Sequence, residues 1–164
     1  MRLLRLGSGQ ASTTLVTCVQ VAFVLFIALL SAAGPVHAAD YVSVAAGPTV
    51  LYDAPSLKAK KIFVVSRYLP LEQVVSLDNW AKVRDSSGAL AWIEKRALSS
   101  KRFVVVTTAL AAMRQAPEEN ATVVLQAHQQ VALEWLESTG TGWLKVRHQD
   151  GMAGYVKTTD VWGN

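Results

Sequence analysis

From Tyr41 onward the chain alternates apolar and polar residues in short runs, and no run is longer than a strand needs. In Trp143–Arg147 (WLKVR), Leu144 and Val146 fall on one side while Trp143, Lys145 and Arg147 fall on the other. The same period of two recurs in Trp80–Arg84 (WAKVR), with Ala81 and Val83 set against Trp80, Lys82 and Arg84. Period two is the signature of a half-buried strand, since successive side chains leave opposite faces of the pleat. In the carboxyl-terminal half the pattern predicts strands over 109–114, 123–127, 131–137, 143–148 and 153–156. Pro117–Asn120, His128–Gln130, Gly140–Gly142 and Gln149–Gly151 separate them with turn-forming residues. No segment after Ala39 sustains a helical period, although Lys95–Leu98 suits one 3₁₀ turn.

The segment before Ala39 has another character. Arg2 and Arg5 precede an apolar run, Val21–Leu30, which Ser31–Pro35 breaks before the small-x-small triplet Val36-His37-Ala38. A charged start, a greasy middle and a small-residue end predict a secretory signal peptide cleaved after Ala38. The alternative is an uncleaved anchor, because Leu15–Gly34 is 20 residues long and just reaches across a bilayer. Export predicts a periplasmic or secreted protein; an uncleaved anchor predicts one held at the inner membrane and facing the periplasm. Membrane contact is expected only in the second case.

Self-comparison exposes a duplication. With a shift of 63, Trp80–Ile93 (WAKVRDSSGALAWI) lies over Trp143–Val156 (WLKVRHQDGMAGYV), and Trp, Lys, Val, Arg and Gly coincide. Upstream, Leu51–Pro55 meets Met113–Pro117 at a shift of 62, one residue being absorbed near Gly140–Gly142. The division expected is 1–38 signal peptide, 39–100 first unit and 101–164 second unit, with Ser99–Arg102 as the seam. Five short strands in about 60 residues are too few for a sandwich, so a small bent barrel is the economical way to protect strand edges. Val104-Val105-Val106, a wholly apolar run opening the second unit, is expected to pair with an edge of the first.

Ala109–Pro117 (ALAAMRQAP) resembles the opening strand and loop of bacterial SH3-like domains. Gly142–Arg147 with Gly154-Tyr155-Val156 is similar to that family's central hairpin. The first unit departs after its opening strand, where the family usually carries arginine and this chain shows Asp53-Ala54-Pro55 after Leu51-Tyr52, and at Ala91, where the family prefers glycine. The fold this implies is all-β, two tandem small SH3-like barrels behind a signal-peptide helix. The resemblance also implies an envelope protein that binds a cell-wall peptide or another envelope protein.

Trp80, Lys82 and Arg84, and again Trp143, Lys145 and Arg147, put an indole beside two cations on the polar side of a strand. One reading is an aromatic platform with a positive edge, suited to a peptide bearing carboxylates. The other is that each Trp caps a barrel end while Lys and Arg stems shield it. Tyr52 and Tyr155 complete the candidate ligand-binding set, with Tyr52 at the start of the long loop and Tyr155 expected at its barrel's rim, in the position equivalent to Trp92. Trp135, in phase with Val131 and Leu133, is expected in the core, and Trp162 is expected to fray unless its ring docks.

Charge narrows the function. Of 16 basic residues two precede Ala39, leaving 14 against 12 acids, too even a balance for a nucleic-acid binder. The only cysteine, Cys18, also lies in the leader, so disulfides, thiol catalysis and cysteine-bound zinc are not expected afterwards. His128 and His148 show no metal-ligand spacing, and neither a metal nor a cofactor is expected. Lys58-Ala59-Lys60-Lys61 is a basic cluster suited to an exposed loop, or to contact with anionic cell-wall polymer or phospholipid headgroups. The expectation is a non-enzymatic module binding peptidoglycan peptide, the alternative being an adaptor or regulator of a cell-wall hydrolase or other envelope protein.

Overall fold

The computed structural model describes residues 40–164, and the leader, with its predicted cleavage site and Cys18, lies outside the described residues. The first seven strands are β1 (Asp40–Val44), β2 (Thr49–Tyr52), β3 (Lys61–Val65), β4 (Pro70–Ser76), β5 (Trp80–Arg84), β6 (Leu90–Glu94) and β7 (Leu98–Ser99). The next seven are β8 (Phe103–Val106), β9 (Leu110–Arg114), β10 (Val123–His128), β11 (Ala132–Ser138), β12 (Trp143–Arg147), β13 (Ala153–Lys157) and β14 (Val161–Trp162). A 3₁₀ turn precedes the last strand of each set, at Lys95–Ala97 as the sequence predicts and at Thr158–Asp160. The five strands predicted in the second unit are all present, their ends shifted by a residue at most.

The sheets are copies. One runs β3-β2-β6-β5-β4-β1-β7 and the other β10-β9-β13-β12-β11-β8-β14, antiparallel at every pairing. The repeat extends to irregularities: the register slips between Gln73 and Val75 in β4, and between the equivalent Trp135 and Glu137 in β11. A bulge at that point bends a strand hard enough to wrap a small sheet around its own core. The turns before those strands match too, with Tyr68 at φ 72° and Gln130 at φ 69°. The sheet faces that the alternation assigns inward fill two cores: Val44, Leu51, Leu71, Ala81, Val83, Ala91 and Ile93 in one barrel, and chiefly Val104, Val106, Met113, Leu133, Leu144, Val146 and Val156 in the other.

The expectation that Val104-Val105-Val106 pairs with the first unit is wrong. Strand β8 hydrogen-bonds β11 on one side and β14 on the other, so both its edges are used within its own barrel. Its unbroken apolar run has a different cause: all four residues are buried, as in a strand covered on both faces. Val104 and Val106 enter the barrel's own core, while Phe103 turns toward the first barrel and stacks on Tyr68, with ring centres 4.5 Å apart.

Residues 40–164 belong to one compact unit, and the barrels meet through specific contacts. Buried Ser43 donates its hydroxyl to the Lys101 carbonyl at 2.7 Å. Within the second unit, Arg102 donates from Nη2 to the Gly163 carbonyl at 2.9 Å. Gly163, at φ 106°, lets Pro70 of the first barrel come so close that a Cβ would stand 3.0 Å from the proline ring. Trp162 does not fray, because its ring docks edge-on against Tyr41 at 5.2 Å. Burial, together with Glu72 directly across the strand pair, raises the Tyr41 hydroxyl above its ordinary pKa.

Candidate functional site

The outward side of the central strands collects most of the candidate residues. In the first barrel Lys82 faces Trp92 across β5–β6, and Trp92 faces Tyr52 across β6–β2. The Tyr52 and Trp80 rings meet edge to face with centres 5.4 Å apart, and Trp92 and Lys82 follow in register on the neighbouring strands. Tyr52 itself is 8% exposed and acts as the bed on which Trp80 rests. Next to Trp80, whose strand partner is Glu94, a hollow of about 280 Å³ is lined by Leu57, Asn79, Glu94, Lys95 and Arg96. The long loop puts Leu57 there, and Lys58, Lys60 and Lys61 beyond it are exposed as expected.

The equivalent side of the second barrel carries other chemistry. Lys145 faces Tyr155, and Tyr155 faces Arg114, so arginine stands where the first barrel has Tyr52. Arg114 donates to the Ala121 carbonyl at 2.7 Å and pins the loop between β9 and β10. Trp143 is only 8% exposed, which corrects the expectation of an open indole beside Lys145. Lys157, directly opposite in β13, reaches over the ring at 5.8 Å and ion-pairs with Glu119. The backbone N–H of Thr158 also bonds the Gly142 carbonyl at 2.9 Å and closes that end of the barrel. Trp143 therefore caps its barrel under a lysine stem, the second of the two readings of this pattern. Glu94 is the first-barrel counterpart of Lys157, so the two Trp positions face opposite charges.

Arg84 and Arg147 do not stand free. Arg84 bonds Glu72 at 3.0 Å, and Arg147 bonds the equivalent Glu134 at 3.3 Å, each pair spanning the strands next to the bulge. With both partners partly in solvent, such a pair contributes about 0–1 kcal/mol and fixes register more than it adds stability. Trp135, expected in the core, sits partly buried against it, with the Arg102 guanidinium 4.7 Å from its ring centre.

Arg147, but not Lys145, lines a hollow of about 320 Å³ between the barrels, which sequence reasoning missed. Tyr68, Phe103, Lys101, Glu134 and His148 line it with Arg147. The local signal was a tyrosine in a turn position whose repeat counterpart is Gln130. Among the described residues no group of three His, Cys, Asp or Glu is placed to hold a metal ion, and no helix is long and apolar enough to cross a membrane.

The family described as bacterial SH3 domain matches twice, at residues 45–100 and 108–163. No curated protein matches the chain. Solved structures similar to it include NlpC1 from Trichomonas vaginalis, at 13% identity and a TM-score of 0.35 over 81% of this chain and 49% of that one. NlpC2 from the same organism is similar at 11% identity and a TM-score of 0.35, over 79% of this chain and 50% of that one. An NlpC/P60 family protein from Bacillus cereus ATCC 10987 is similar at 15% identity and a TM-score of 0.35, over 74% and 55%. The chain thus spans about half the length of these structures.

Proposed function

The chain belongs to the bacterial SH3 domain family, and we propose that it acts as an exported, non-catalytic binding module of the cell envelope, taking peptidoglycan peptide on the first barrel. One observation carries this reading. Trp80 rests against buried Tyr52, with Trp92 and Lys82 in register on the neighbouring strands, next to a hollow that offers Leu57 to an apolar side chain and Lys95 to a carboxylate. Rings fixed against one another give contact area at little entropic cost, and flanking cations choose an acidic partner. The second barrel, its Trp143 sheltered, serves mainly to hold the first.

Co-sedimentation with purified sacculi tests the proposal. The chain is expected to be retained, and Trp92→Ala with Lys82→Gln is expected to release it while circular dichroism stays unchanged. Retention unaffected by both substitutions overturns the assignment of the site.

A second reading, an adaptor for another envelope protein, rests on the outer edge of the first sheet. Strand β3 is that edge, and Phe63 and Val64 on it are 48% and 68% exposed. An apolar unpaired edge is a template for an added strand. Crosslinking in the periplasm through a photoreactive residue at position 64, with no retention on sacculi, is the result that favours it.

A further inference from the structure

We infer that the hollow between the barrels is a second binding site, which takes the free carboxylate end of a short peptide. It stands on the barrel junction alone and does not require the outer-face reading.

Its wall is built at a cost. The turn before β4 holds Tyr68 at φ 72°, a left-handed conformation that side chains of L-residues disfavour. The Tyr68 ring lies nearly parallel to Phe103, at 18° and 4.5 Å, and the pair presents an apolar surface to the hollow. At about 320 Å³ the space sits at the lower end of the ~300–1,000 Å³ typical of small-ligand sites. That suits two or three peptide residues.

The polar wall has more positive than negative charge. Lys101 Nζ and Arg147 Nη2 converge on a single oxygen, Glu134 Oε1, at 3.0 and 3.3 Å. Among the described residues the equivalent pair of the first barrel, Arg84 with Glu72, has no second cation. The lysine from the interbarrel segment therefore gives Glu134 a second cation, while Asp150 pairs with His148, which also lines the hollow. Both side chains stay open to solvent, at 54% for Lys101 and 46% for Arg147. Arg67, stacked over Tyr68 at 4.5 Å, adds another cation in the smaller hollow on the far side of the ring pair.

A carboxylate fits this balance and a phosphate does not. A singly charged carboxylate meets the two cations that share Glu134, whereas a phosphate brings up to two charges toward Glu134 and the nearby Asp150. Glu134 also offers its carboxylate to a peptide N–H, and the ring pair offers a surface to an alanine-sized side chain.

Amide-shift NMR on the full chain tests this with trialanine, trialanine amide and inorganic phosphate as probes. Trialanine is expected to shift Tyr68, Lys101, Phe103, Gln149 and Gly151, and to bind at least ten times more tightly than its amide. Lys101→Gln and Arg147→Gln are each expected to weaken it about tenfold, the usual size for a charge-assisted hydrogen bond. Lys101 lies in an exposed linking segment, so its variant keeps the test valid if loss of Arg147 disturbs the fold. Equal binding of the amide, tighter binding of phosphate, shifts confined to the Trp80–Trp92 face, or no shift at 10 mM peptide would each overturn the inference. Trp92→Ala should leave trialanine binding intact even where it abolishes retention on sacculi.

Discussion

Arg102 places its guanidinium carbon 4.7 Å from the centre of the Trp135 ring and 5.5 Å from that of Tyr41, which belongs to the other barrel. Among the described residues it forms no ion pair; two ring faces and the Gly163 carbonyl take the place of a carboxylate. A cation over an aromatic face contributes about 0.5–2 kcal/mol, more as water is excluded. Arg102→Ala is therefore expected to cost about 2 kcal/mol. A single thermal unfolding transition in the parent should broaden or split as the barrels lose their common support. Calorimetry of both proteins checks it.

The two left-handed turns separate backbone strain from ring packing. Gln130→Gly relieves the strain with no ring to lose, and should be neutral to stabilising by about 1 kcal/mol. Tyr68→Gly relieves the same strain but removes the stack on Phe103, and should destabilise by about 1–3 kcal/mol. Urea titration of the pair measures the difference.

Trp143 and Trp80 hold the same place in the repeat and should differ in consequence. Trp143→Ala empties a buried cap and is expected to cost about 3–5 kcal/mol, enough to unfold the second barrel. Trp80→Ala removes a half-exposed ring, and should cost less stability and more binding. Parallel melts and sacculus sedimentation separate the two effects.

A glycine of the second barrel has no slack. A Cβ at Gly154 would stand 2.7 Å from the Arg114 carbonyl and 2.7 Å from Met113 Cγ. Gly154→Ala is expected to cost about 1–3 kcal/mol by overpacking, although the first barrel carries Ala91 at the same position. Chemical denaturation compared with the parent decides it.

Acid should weaken the second barrel through two carboxylates. The Met152 backbone N–H and then His148 lower the pKa of Asp150, and the Lys157 ammonium lowers that of Glu119. A carboxylate depressed in the fold stabilises it fully above its ordinary pKa and loses that contribution as pH falls through the folded value. The melting temperature should therefore fall below about pH 4, and Asp150→Asn with Glu119→Gln should flatten that limb. Scanning calorimetry from pH 3 to pH 7 follows it.

Much of the fold was legible because the information was local. Alternation in WLKVR and WAKVR, turn residues between runs, and the 63-residue echo specify strands, faces and a duplication without any long-range contact. What escaped depended on neighbours distant in sequence. Alternation puts Trp143 outside its sheet, but it cannot say that Lys157 will lie across the ring. The apolar run at Val104 shows that both faces of β8 are covered; whether an edge or a face meets the first barrel is decided by β11 and β14. Likewise Arg84 and Arg147 read as free cations until the register sets Glu72 and Glu134 opposite them.

The contact of Tyr41 with Trp162 brings the first described strand against the last. A short connection from residue 164 back to residue 40, with a new opening at Ser100, would exchange the order of the barrels along the chain without moving either. The double barrel is in that sense a closed ring in space. Its natural starting point is a matter of where the chain is cut, and a circular permutant should rebuild the same junction.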